Sequence, residues 1–356
     1  MHLGIIGLPQ SGKTTLFNAL TRGSQPTGIA SGRMEVHTAV VDVPDPRVDR
    51  LSALFKPKKT IYAKVTYADI AGLDGSASKT GISGTLLNQL TQMDGFIHVV
   101  RCFEDEAVPH PNGSVDPHRD VSSMDSEFIL NDLIAVERKL EKLAEERKKG
   151  AGREKGIIDR EVTLFERFQV ALGEEIPLRN LDINAEEEKT LSGFGFLSRK
   201  PVLVVLNLAE NQKAPTLSYT HRHSQVVALQ GKLEMEIAQL PPDEMKMFLE
   251  EYGIEEPSLF RMIRLSYDLL GLQSFFTVGP DECRAWTVRR GATAPEAAGE
   301  IHTDLQKGFI RAEVVAYTDL VTLGGLPEAR THGKLRLEGK EYIVQDGDVL
   351  NIRFNI

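Results

Sequence analysis

A chain of 356 residues is long enough for two or three ordinary domains, and 41% hydrophobic with 26% charged residues supplies both cores and wetted surfaces. Its 42 basic and 51 acidic side chains leave a formal charge of −9, which excludes a protein that coats nucleic acid with its entire surface. No apolar run approaches the ~20 residues that cross a bilayer, two cysteines give no support to a disulfide framework, and the first residues lack a basic, apolar leader, so a cytoplasmic protein without a membrane partner is expected.

The first predicted element is a strand, Leu3 to Ile6. It runs directly into Gly7-Leu8-Pro9-Gln10-Ser11-Gly12-Lys13-Thr14 and a helix from Lys13 to Leu20. These eight residues fit G-x-x-x-x-G-K-[ST] between a strand and a helix, the context that gives the pattern its meaning. Glycines at 7 and 12 let backbone N–H groups and the helix N-terminus wrap an anion. Lys13 is expected to bridge β- and γ-phosphate oxygens as the catalytic cation, and the Thr14 hydroxyl to ligate Mg²⁺. The segment is thus read as the phosphate cradle of a P-loop nucleotide-binding protein.

A second apolar run, Val65 to Ile70, leads into Asp69-Ile70-Ala71-Gly72. In a P-loop protein, Asp69 at the strand's end is expected to hold Mg²⁺ through water and the Gly72 N–H to meet the γ-phosphate. Leu73 follows, where many switch GTPases place a water-orienting glutamine. A leucine cannot orient water, so intrinsic hydrolysis should be slow. The runs Gly95 to Val100 and Pro201 to Leu206 complete a set of buried parallel strands, the signature of a doubly wound α/β sheet. After the last run comes Asn207-Leu208-Ala209-Glu210, at the position of the guanine clamp N-K-x-D. Glu210 is longer than the aspartate, and Leu208 replaces the lysine that packs over the base. Both changes weaken a guanine requirement and admit ATP.

Between the halves of this sheet lies a charged helical stretch. Ile129, Leu133, Val136, Leu140 and Leu143 form a heptad seam. The seam breaks at Lys148 to Arg153. A second helix, Ile157 to Leu172, carries Ile158, Val162, Phe165, Phe168 and Leu172 on one face, so an antiparallel hairpin is expected. From Val278 the pattern changes to Trp286-Thr287-Val288, a helix-like Ala294 to Lys307, and short strands ending at Tyr342-Ile343-Val344 and Val349 to Phe354. With the turn Asp346-Gly347-Asp348, this reads as a small α+β domain.

With the cradle, D-I-A-G-L and N-L-A-E in this order, the sequence resembles the Obg-like ATPases, the YchF family of P-loop translation-factor-related GTPases. Val43-Pro44-Asp45-Pro46-Arg47, His98 to Asp105 and Lys307 to Glu313 also resemble family stretches, so the resemblance covers essentially the whole chain. It implies a P-loop G-domain at 1–125 and 200–277, an inserted helical coiled-coil hairpin at 126–199 and a β-grasp domain of the TGS type at 278–356. It further implies ATP binding and hydrolysis, a cytoplasmic location, and association with the ribosome, a ribosomal subunit or its RNA; with Mg²⁺ at Thr14 and Asp69 and slow turnover from Leu73, a monomer that takes ATP, or GTP as the alternative, is expected.

The nucleotide-contacting set on this reading is Gly7, Pro9, Gln10, Ser11, Gly12, Lys13, Thr14, Thr15, Gly72, Asn207, Leu208, Glu210 and Gly231, with Thr14 and Asp69 on the metal. Gly231, in Gln230-Gly231-Lys232, enters as a backbone donor to the base. The sequence departs from the family at Gln10, where an asparagine is usual, and at Arg33, where the switch-one threonine falls. Thr27 and Thr38 are near but out of register, and Ala77 to Gly84 has fewer glycines in register than the second switch of the family. Leu73 and Arg33 motivate the competing reading, a nucleotide-binding regulator without significant hydrolysis.

Overall fold

The computed structural model describes all residues except 24–36, 71–72, 74–81, 83, 150–152, 253 and 356. Thr27, Arg33, Gly72 and most of the segment 77–84 therefore lie outside the described residues. The chain forms two units, Met1–Ala39 with Thr66–Leu259, and Val40–Val65 with Phe260–Ile356. Among the described residues the strands are β1 (His2–Ile6), β2 (His37–Asp42), β3 (Lys59–Ile61), β4 (Lys64–Asp69), β5 (Gly95–Arg101), β6 (Val202–Asn207), β7 (Ser224–Leu229), β8 (Leu272–Val278), β9 (Glu282–Arg289), β10 (Phe309–Ala316), β11 (Arg336–Glu338) and β12 (Asp348–Phe354).

The sheet of the first unit has the order β2-β4-β1-β5-β6-β7. β1 pairs in parallel with β4 and β5, and β6 in parallel with β5 and β7. Every residue of β5 and β6 is buried, which is why these strands read as mainly apolar runs rather than alternating ones, with His98, Arg101 and Asn207 as buried polar members. The first five helices are α1 (Lys13–Thr21), α2 (Pro46–Phe55), α3 (Gly84–Thr91), α4 (Pro117–Lys149) and α5 (Lys155–Gly173). Phe96, Val100 and Val204 of the sheet share one core with Leu86 and Leu90 of α3 and with Val121, Met124 and Phe128 of α4.

The expected heptad helix is the later part of α4, and α5 is its partner. Ile129, Val136 and Leu143 are buried and Leu133 and Leu140 partly so, against Ile158, Phe165, Phe168 and Leu172. Ion pairs Lys139–Glu161 at 2.9 Å and Arg147–Asp159 at 3.2 Å cross between the two antiparallel helices. Because α4 begins at Pro117, a single continuous helix packs its first turns on the sheet and its later turns in the hairpin. The chain's return is pinned by the buried Asp132, whose carboxylate accepts from the N–H groups of Leu197 at 2.9 Å and Ser198 at 2.7 Å. Burial raises its pKa to about 6 against the opposing pull of those bonds.

The second unit holds a sheet of order β11-β10-β12-β8-β9-β3. β8 and β9 are antiparallel, as are β10 and β12, while β12–β8 and β3–β9 are parallel. The sheet thus draws in residues 59–61 and 272–277, which the sequence-based division assigns to the P-loop domain. The early segment is held by Lys58 on Asp281 at 2.8 Å and Arg47 on Asp346 at 2.7 Å.

Two elements differ from their sequence-based expectation. The helix expected over Ala294 to Lys307 is broken at His302, whose extended backbone ends Ala294–Ile301 and whose Nδ1 accepts from the Asp304 N–H to cap Thr303–Lys307. Tyr342-Ile343-Val344 forms a single bridge, Thr293 to Ile343, rather than a strand. Its partner segment turns into a helix at Ala294, so the ladder has nothing to continue along. No helix among the described residues is long and apolar enough to cross a membrane.

Candidate nucleotide site

Hydrogen bonds bring four segments together at the C-terminal ends of β1, β4, β6 and β7. The first is the cradle. After β1 the backbone turns through Gly7 at φ 146°, Gln10 at φ 61° and Gly12 at φ 96°. A Cβ on Gly7 would lie 2.3 Å from the Val99 carbonyl oxygen, and one on Gly12 would lie 2.2 Å from Asn207 Nδ2, so neither position takes a side chain. Gly12 caps α1 with no side-chain bond, and the first turn carries no acidic residue. The leading N–H groups of α1 are thereby left to an anion, which the helix dipole favours.

Lys13 Nζ donates to the carbonyl oxygens of Gly7 and Leu8, both at 2.8 Å. Burial lowers its pKa to about 8, with Asp69 pulling it upward. The ammonium is therefore held in the loop at some cost in solvation, and a phosphate would offset that cost. Pro9 and Gln10 are exposed at the rim and Thr15 is half-buried. Ser11 is buried, and its Oγ finds no partner among the described residues.

The second segment ends β4. Thr14 Oγ1 donates to Asp69 Oδ2 at 3.0 Å, while Asp69 Oδ1 is buried without a partner among the described residues. Burial raises the Asp69 pKa, opposed by the Thr14 bond and by Lys13 and His37. An orphaned carboxylate oxygen beside a hydroxyl is a hard-oxygen pair that suits Mg²⁺. No group of three or more His, Cys, Asp and Glu side chains able to hold a metal occurs among the described residues. A cation here would take its remaining ligands from water and phosphate, as Mg²⁺ at nucleotide sites does. Leu73 is only 2% exposed and sits in the sheet core with Ile82 and Leu86, so its side chain packs and does not face water.

The third and fourth segments follow β6 and β7. Asn207 Nδ2 donates to the Ser11 carbonyl oxygen at 3.0 Å, and Asn207 Oδ1 accepts from the Gly231 N–H at 2.9 Å. The Gly231 donor, expected for the base, is engaged inside the protein. Leu208 is also placed away from a base-covering role: it is buried in the sheet core and its N–H donates to the Leu229 carbonyl oxygen at 2.9 Å. Glu210 is exposed and makes no hydrogen bond or ion pair among the described residues. Gln212 was not singled out from the sequence, yet its side chain bonds both the Ala209 N–H and the Cys102 carbonyl oxygen. A glutamine in a polar loop carries no signal of such a double bond.

Residues 2–139 match the family model described as "50S ribosome-binding GTPase", and residues 272–355 match the YchF GTPase C-terminal model, described as "Protein of unknown function (DUF933)". The Ribosome-binding ATPase YchF of Bacillus subtilis (strain 168) is 40% identical, and that of Escherichia coli O157:H7 41% identical, with 99% of each chain covered in both cases. The solved structure of the Schizosaccharomyces pombe YchF GTPase superposes with a TM-score of 0.83 at 30% identity, covering 99% of this chain and 97% of that one.

Proposed function

The chain belongs to the YchF family, and from that premise we propose that it is a slow, ribosome-binding ATPase of the cytoplasm, in which ATP is preferred and GTP is the alternative nucleotide. The observation that carries the reading is the Thr14–Asp69 pair beside Lys13, with one buried carboxylate oxygen that has no partner among the described residues. Its support is chemical: a cation and a ring of backbone N–H groups for phosphate, and two hard oxygens for a divalent ion. A bound Mg²⁺ would neutralise phosphate charge, held by the Thr14 hydroxyl and, through water, by Asp69. Lys13 holds the phosphate oxygens, and Asn207 keeps the cradle's backbone in place.

On this reading the nucleotide state sets how the hairpin and a C-terminal TGS domain at 278–356 engage the ribosome. Leu73 gives no water-orienting group, so turnover by the protein alone is slow and a partner raises it. Steady-state phosphate release, with and without ribosomes, tests the proposal against a Lys13→Ala control. Release in the intact protein that exceeds the control and rises with ribosomes is expected; no release above the control in either condition removes the ATPase reading.

A further inference from the structure

The loop after β6 is fixed by one side chain whose amide is used at both ends. Gln212 Oε1 accepts from the Ala209 N–H at 2.8 Å, and Gln212 Nε2 donates to the Cys102 carbonyl oxygen at 2.6 Å. The Gln212 N–H closes the same turn on the Ala209 carbonyl oxygen at 3.2 Å, and Asn211 takes a left-handed φ of 58° within it. Cys102 is in turn fastened to β6, its N–H donating to the Asn207 carbonyl oxygen at 2.9 Å. A closed circuit therefore runs from Asn207 through Ala209 and Gln212 to Cys102 and back to Asn207.

Glu210 lies inside that circuit. Its carboxylate is exposed and held by nothing of its own among the described residues, so the direction it takes is set by the backbone on either side. A group that discriminates one base edge from another must be held to about 0.5 Å, and it loses discrimination when its supporting bonds are removed. We propose that Gln212 is the positioning residue for nucleobase selection: by pinning the turn Ala209 to Gln212 to the end of β5, it holds Glu210 where the base edge arrives. The inference rests on reading Asn207 to Glu210 as the base loop. Gln212 makes none of the hydrogen bonds of Lys13 or Thr14 in the phosphate cradle, so loss of its side chain leaves those contacts in place.

The test compares ATP, GTP and inorganic tripolyphosphate, each with Mg²⁺, by titration against the full chain. In Gln212→Ala the ratio of ATP to GTP affinity moves toward one by about fivefold, the worth of roughly one net hydrogen bond, while tripolyphosphate affinity is unchanged. Gln212→Glu keeps an acceptor for the Ala209 N–H and loses the donor to Cys102, so its ratio falls between. Glu210→Ala separates the two levels of the argument. A ratio altered by Glu210→Ala and untouched by Gln212→Ala overturns the positioning role alone; a ratio untouched by both overturns the base-loop reading and this inference with it. Equal losses for all three ligands in Gln212→Ala also overturn it, because they mark a structural role without selectivity.

Discussion

Asn207 reaches 196 positions back along the chain to donate from Nδ2 to the Ser11 carbonyl oxygen, and with its other amide atom it receives the Gly231 N–H. One side chain thus couples the cradle to the loop after β7. In Asn207→Ala both backbone partners lose their bonds at a position only 5% exposed. Unpaired buried groups cost about 1–3 kcal/mol each, so a loss of about 2–4 kcal/mol is expected in urea unfolding. Nucleotide affinity falls with it. Asn207→Asp is expected to fare little better, because a carboxylate offers the Ser11 carbonyl no donor. Wild-type stability in either variant would show that the coupling carries no weight.

Lys13 gives a pH signature. Its pKa in the folded chain is near 8 against 10.5 for the ordinary side chain, so between those values the unfolded state holds the extra proton. Stability from this group therefore rises with pH across that window, and its penalty is fully present below about pH 8. Subtracting the unfolding free energy of Lys13→Met from that of the intact protein removes other groups that titrate nearby, including Lys200. The difference should climb in favour of the intact protein from pH 8 to 10.5, without nucleotide. A flat difference would show that the ammonium is well solvated.

Thr14→Val keeps the shape of the threonine and removes the hydroxyl that bonds Asp69. Affinity for ATP with Mg²⁺ is expected to fall by about tenfold or more, as for loss of a charge-assisted bond, while affinity for ATP in excess chelator changes far less. Asp69→Asn should show the same split between metal-containing and metal-free conditions. Equal losses in the two conditions would place both residues outside the metal site.

Phe165 is fully buried, with ring centroids 5.8 Å from Phe168, 5.1 Å from Phe194 and 6.3 Å from Phe196. Phe165→Ala opens a cavity in the hairpin and should cost about 3–5 kcal/mol. The loss should appear as earlier unfolding with ATP affinity unchanged, because the cradle shares no residue with that core. A variant that loses ATP affinity in proportion would show that the hairpin and the cradle unfold as one.

The cradle and the hairpin were legible because each is written locally. A strand, a glycine-bounded loop and a lysine at a helix start are consecutive, and the seam from Ile129 to Leu143 repeats at helical spacing. What sequence pattern did not carry is pairing between distant residues. Lys59 to Ile61 is too short and too polar to announce itself as a strand, and it is one because Glu282 to Arg284 lies beside it. Ala294 to Lys307 has helical composition throughout, and the interruption at His302 depends on a single side-chain cap. Gly231 and Leu208 were assigned to the base by their place in a motif. The structure commits the N–H of one to Asn207 and the side chain of the other to the core.

The partnership of Lys58 with Asp281 spans 223 positions, and β3 waits on β9, its one neighbour in the sheet among the described residues. At about 5–20 residues per second, roughly 10–45 s of synthesis separate the emergence of the two. Throughout that interval Lys59 to Ile61 has left the ribosome without the strand it will join. Circular permutants that bring the two segments together are expected to complete this sheet sooner during synthesis than the natural order allows.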